Sequence, residues 1–162
     1  MKRSLVDLGQ QLLDAAKRAG ADACDAMAVD GVSHSIEVRG GQLEQAERAE
    51  GIDIGLRVML GARQACVSAS DISAEAIELM AQRAVEMARH APDDAYLRQA
   101  SAEQLAGDWD VQALELSDPA EEPSAAKLQA TALEAEAAAL EVAGVMQCQL
   151  AGAAFGARRI HL

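Results

Sequence analysis

The sequence predicts an α+β domain, an antiparallel β-meander with long helices packed on it. Three observations carry this expectation. Residues 52–60, IDIGLRVML, alternate apolar and polar side chains, which is the period of a strand with one buried face. Glycines punctuate this region at 40–41, 51 and 61, leaving no room for the crossover helices that parallel strands require. Three longer stretches, near 4–19, 73–90 and 124–143, repeat apolar residues at spacings of three and four, the period of an amphipathic helix.

Taken in order, the first helix is predicted over Ser4–Ala19. Leu5, Leu8, Leu12, Ala15 and Ala19 form its apolar stripe, Ser4 with Asp7 suits a cap, and Gly20 ends it. Asp22–Asp30 is a weaker strand. After Gly31, VSHSIEVR places Val32, His34, Ile36 and Val38 on one face of a strand at 32–39. Gly40-Gly41 supplies a two-residue turn free to take positive φ. QLEQAERAE, at 42–50, is too short between its flanking glycines to stand as a helix, and is read as a strand. Ile52, Ile54, Leu56, Val58 and Leu60 point one way in the next strand, and Gly61-Ala62 turns it into RQACVSA, 63–69.

Ser70 or Ser73 then caps a helix to His90, with Ile77, Met80, Ala81, Ala84 and Ala88 as its narrow stripe and Pro92 as its stop. Residues 91–123 hold all three prolines and many acids and read as a connecting arm, in which LELSDP is an extended piece entering a turn. The helix at 124–143 presents Leu128, Ala132, Ala135, Ala139 and Val142, either to a core or to a partner subunit. VMQCQLAGA alternates again and GARRIHL begins a further strand, which reaches Leu162 without a turn or cap. That pattern suggests a piece of a longer protein, whose unpaired strand edge would favour association.

The 162 residues are the length of one ordinary domain, taken as 1–162. With Tyr96, Trp109 and Phe155 the only aromatics, there is no platform for stacking bases. Fourteen basic and 26 acidic residues give a net charge of −12, which disfavours nucleic acid and anionic membranes. Asp7, Gln10, Gln11 and Asp14 interrupt any apolar run that Lys2 and Arg3 would begin in a signal peptide. Cys24, Cys66 and Cys148 are widely spaced, fitting free thiols in a reducing cytoplasm.

No catalytic, cofactor-binding or metal-binding residue is assigned. His34 with Cys24 or Asp25 offers two zinc ligands where a site needs more, and its phase with Val32, Ile36 and Val38 reads as a half-buried strand histidine. Ser33, Ser35, Ser68 and Ser70 come with no GxSxG elbow. Glu44, Glu47 and Glu50 have no apolar pocket to make them an acid–base pair and read as an exposed face. The glycines match neither GxGxxG nor GxxxxGK[ST].

The ordered set AGADA, SIEVRGGQLEQAE, GIDIGLRVMLGARQACVSASDIS and AVEMARHAPDD, followed by LELSDP and ALEVAGVMQCQLAGAAFGARRIHL, resembles the N-terminal domain of the TldD/PmbA family, in its details the PmbA (TldE) branch. The resemblance implies a cytoplasmic metalloprotease of two homologous subunits acting on peptides or unfolded proteins. A TldD-like subunit carries a zinc motif of the HExxxH type, and the PmbA-like one does not. His34, His90 and His161 are the only histidines, and none opens such a motif. The resemblance therefore implies a non-catalytic subunit with zinc in its TldD-like partner. The family's older label, modulator of DNA gyrase, finds no support in the charge. The alternative is a free-standing protein-interaction module.

Overall fold

The computed structural model describes residues 4–105, 107, 110 and 112–162. The readings placed on Lys2, Arg3 and Trp109 lie outside these. The elements are α1 (Leu5–Ala19), β1 (Ala23–Arg39), β2 (Gln42–Leu60), β3 (Arg63–Ala69), α2 (Ala74–His90), a 3₁₀ turn (Ala102–Gln104), α3 (Ala125–Leu140) and β4 (Ala151–His161). The strands form one antiparallel sheet of order β3-β2-β1-β4, so the chain has the expected α+β fold. Among the described residues, no helix is long and apolar enough to cross a membrane.

The sheet departs from the expected meander at two glycines. Gly31 and Gly51 were expected to divide strands, yet β1 runs unbroken through Gly31 and β2 through Gly51. Neither has positive φ, whereas Gly40, Gly41 and Gly61 do, at 59°, 73° and 57°. A glycine permits a turn without requiring one, and only those three sit at reversals. Likewise α3 ends at Leu140 and not at 143. LELSDP turns at its start, with Glu115 at φ 48°. Residues 145–150 are irregular, and β4 begins only at Ala151.

The chain divides into two compact units. The first comprises Met1–Asp30, Gly51–Asp110 and Arg159–Leu162. Here the Ser4 hydroxyl accepts the Asp7 N–H at the start of α1, and Gly20, at φ 97°, closes it with its N–H on the Ala16 and Lys17 carbonyls. The Ser73 hydroxyl accepts the Ala76 N–H to start α2. Ala91, held extended by the following Pro92, ends it. β2 and β3 pair from Leu60↔Arg63 to Ile54↔Ala69. The Arg63 guanidinium donates to the Arg89 carbonyl at 2.9 Å and to Asp93 at 2.7 Å, tying this hairpin to the end of α2. One core joins Leu8, Leu12, Ala15 and Ala16 of α1, Ile54, Leu56 and Val58 of β2, and Ile77, Met80, Ala81, Ala84, Val85 and Ala88 of α2. The alternation read at 52–60 is thus the alternation of burial.

Just before α2, the Asp71 carboxylate accepts the Ser73 N–H at 2.9 Å. This bond holds its pKa below the ordinary carboxylate value. A depressed folded-state pKa contributes stability above the unfolded value that is lost as pH falls through the folded one. Asp71→Asn is therefore expected to make the acid limb of the melting-temperature profile shallower, measured by circular dichroism. An unchanged limb would remove Asp71 from the acid response.

The second unit comprises Gly31–Glu50 and Val111–Arg158. Its smaller core sets Ile36 and Val38 of β1 with Leu128 and Ala132 of α3, flanked by Leu133, Ala151, Ala153 and Phe155. The Ser124 hydroxyl caps α3 by accepting the Lys127 N–H. Ala135 and Val142, expected in the apolar stripe, are exposed. The third buried position of α3 is instead Glu136, 3% exposed.

Candidate functional sites

In the second unit, Glu136 continues the Leu128–Ala132 stripe at a spacing of four, so the helix carries its carboxylate inward. There it meets the Gly40-Gly41 turn. The Gly40 N–H donates to Oε1 at 2.6 Å and the Gly41 N–H to Oε2 at 2.8 Å. Successive positive φ values aim both N–H groups to one side, a concavity suited to an anion. The carboxylate fills it, so this is an anchor of α3 on the hairpin rather than an open site.

A second cluster gathers around His34, whose side chain is 15% exposed. Nδ1 lies 3.4 Å from Arg48 Nη1, and Nε2 lies 3.0 Å from Glu122 Oε1. The Glu122 approach is out of line for a hydrogen bond, leaving Nε2 buried and unsatisfied. Arg48 donates to Glu122 at 2.5 Å and, through Nε, to Glu50 at 2.8 Å. The Glu50 bond is the chief cause that raises the guanidinium pKa, with Glu122 adding to it. A groove of about 230 Å³ opens beside this cluster, lined by His34, Ile36, Ala46, Arg48, Ala125 and Leu128. Glu44, Glu47 and Glu50 are exposed, as expected.

In the first unit, a recess of about 410 Å³ is lined by Val6, Leu13, Cys24, Asp25, Arg57 and His161 among others. The Arg57 Nε donates to Asp25 at 2.8 Å, raising the guanidinium pKa. Burial pushes the Cys24 thiol pKa up despite Lys17 nearby, so the group stays a neutral thiol, a poor nucleophile. The His161 ring covers Gly9 of α1, at 3.1 Å from where a Cβ would stand, which accounts for a glycine at a buried helical position. Ser70 donates to Asp53 at 2.6 Å, and among the described residues no histidine is bonded to that pair.

Zinc needs three or four nitrogen, sulfur or oxygen donors converging at about 2.0–2.3 Å. The residues present do not fit it. His34 is faced by a guanidinium cation, Asp25 is taken by Arg57, and among the described residues no group of three or more His, Cys, Asp or Glu could hold a metal ion.

Residues 24–88 match the family model of PmbA/TldA metallopeptidase domain 1. That span runs from the start of β1 to the end of α2. Among solved structures, TldE from Thermococcus kodakarensis aligns over 95% of this chain and 34% of its own, with a TM-score of 0.63 at 12% identity. A candidate modulator of DNA gyrase from Bacteroides thetaiotaomicron aligns over 96% and 36%, with a TM-score of 0.62 at 18% identity. Another from Thermotoga maritima aligns over 97% and 34%, with a TM-score of 0.53 at 13% identity. The chain thus spans about a third of the length of the structures it matches. No curated protein matches it. The likeness to solved structures is one of fold, and residues 24–88 are similar to the first domain of the PmbA/TldA metallopeptidases.

Proposed function

We propose that this chain is the N-terminal domain of a PmbA/TldE-like, non-catalytic subunit. It pairs with a homologous, zinc-bearing TldD-like subunit in a cytoplasmic metalloprotease that takes peptides or unfolded proteins. The observation that carries the reading is the match of residues 24–88 to a metallopeptidase first domain. The likeness of nearly the whole chain to TldE supports the branch. Hydrolysis of a peptide by zinc needs an open metal site and a general base in one pocket, whereas His34 and Asp25 lie against Arg48 and Arg57. Its role in the reading is structural, to pair with the catalytic subunit and help enclose an extended substrate.

Metal analysis of the untagged, dialysed 162-residue chain is expected to show no stoichiometric zinc, and the chain alone to cleave no peptide. Chelator-sensitive cleavage is expected once the full-length subunit is joined to a homologue bearing the HExxxH motif. One tightly bound zinc per chain, or chelator-sensitive cleavage by this chain alone, would overturn the non-catalytic assignment.

A further inference from the structure

β2 begins with ten consecutive exposed residues, Gln42–Gly51. β1 is its neighbour on one side, and on the other β3 reaches only from Leu60 to Ile54. Among the described residues, no strand lies along that second edge of Gln42–Glu50. Such an edge offers a row of backbone N–H and C=O groups, here about 30 Å long for nine residues.

Two devices that usually blunt an edge, proline and lysine, are absent from QLEQAERAE. Ala46 and Ala49 leave room for an approaching backbone. The charge of the edge is acidic. Glu44 accepts from Arg39 at 2.6 Å, while the single Arg48 is shared between Glu50 and Glu122. Glu47 is exposed and has no ion pair among the described residues. A second copy of this edge would set glutamates against glutamates, whereas a basic segment would neutralise them.

We infer that the free edge of β2 at Gln42–Glu50 is a docking site for an extended, lysine- or arginine-bearing peptide segment that adds to the sheet as a strand. The backbone ladder supplies binding that tolerates many sequences. Glu47, with the unbalanced charge of Glu50 and Glu122 around Arg48, selects for cations. The inference does not depend on the peptidase reading, because the edge and its charge exist in the isolated chain.

The test is fluorescence anisotropy at low ionic strength, with the 162-residue chain and a labelled, acetylated nonapeptide alternating lysine and valine. Companion peptides replace lysine by glutamate, or carry N-methyl groups on alternate amides in either phase. The lysine peptide is expected to bind and the glutamate peptide not to. One phase of N-methylation should weaken binding at least about tenfold, and Glu47→Lys should do so by about tenfold, or about 1.4 kcal/mol. Since Glu47 has no ion pair among the described residues, the variant should melt with the parent, which separates a binding effect from misfolding. Equal binding of both methylated peptides would reduce the effect to charge attraction and overturn the strand. Equal binding by Glu47→Lys, no binding at all, or self-association abolished by Glu47→Lys in place of peptide binding would also overturn the proposal.

Discussion

Glu136→Ala is expected to destabilise the second unit by about 2–3 kcal/mol, the scale of hydrogen bonds to a charged acceptor less the desolvation that a buried carboxylate costs. The two bonds it removes, from the Gly40 and Gly41 N–H groups at 2.6 and 2.8 Å, are the described side-chain bonds joining α3 to the β1–β2 turn. The small core beside them has few large side chains to compensate, since Ala132 lies between Leu128 and Glu136 along the buried stripe. Glu136→Gln keeps the shape but turns an amide NH₂ toward one of the two donors, so it should lose about half as much. Urea unfolding followed by circular dichroism gives the order: parent, then Gln, then Ala. If alanine matches the parent, water replaces the carboxylate without cost and the anchor is incidental.

The same residue shows where the sequence stops being legible. Helix periods, serine caps and the alternation of Ile52–Leu60 are local signals, each produced by side chains within a turn or two of one another, and these elements appear as expected. Glu136 was hidden because its partners are backbone groups 95 and 96 residues away, and backbone groups leave no letter in the sequence. The single available signal was its phase, four residues past Ala132. Gly31 and Gly51 misled for the opposite reason, since a glycine marks what the backbone can do and not what it does. His34 lies half-buried, as its phase implied, but its neighbours Arg48 and Glu122 come from β2 and from the segment before α3. Only the fold sets those three side by side. Arg57 was equally silent, because its partner Asp25 depends on how β1 and β2 lie together.

Leu56→Ala carries the largest expected loss, about 3–5 kcal/mol, in the upper part of the range for removing a buried leucine. Leu56 is 2% exposed, stands opposite Val67 in β3, and belongs to the core with Leu8, Leu12, Ile77 and Met80. The remainder of that core is rich in alanine, at 15, 16, 81, 84 and 88. Alanine has no side-chain rotamers with which to swing into a vacated volume, so the cavity stays open and its full cost is felt. Leu56→Met, nearly equal in volume, should cost less than about 1.5 kcal/mol. Arg57→Ala, one residue along on the opposite face, breaks only a half-exposed pair with Asp25 and should cost about 1 kcal/mol or less. Denaturant midpoints of the three variants therefore separate the faces of β2. Equal losses at 56 and 57, or an unchanged midpoint for Leu56→Ala, would mean that the Ile54–Leu56–Val58 face does not hold the core and that the alternation carries no burial.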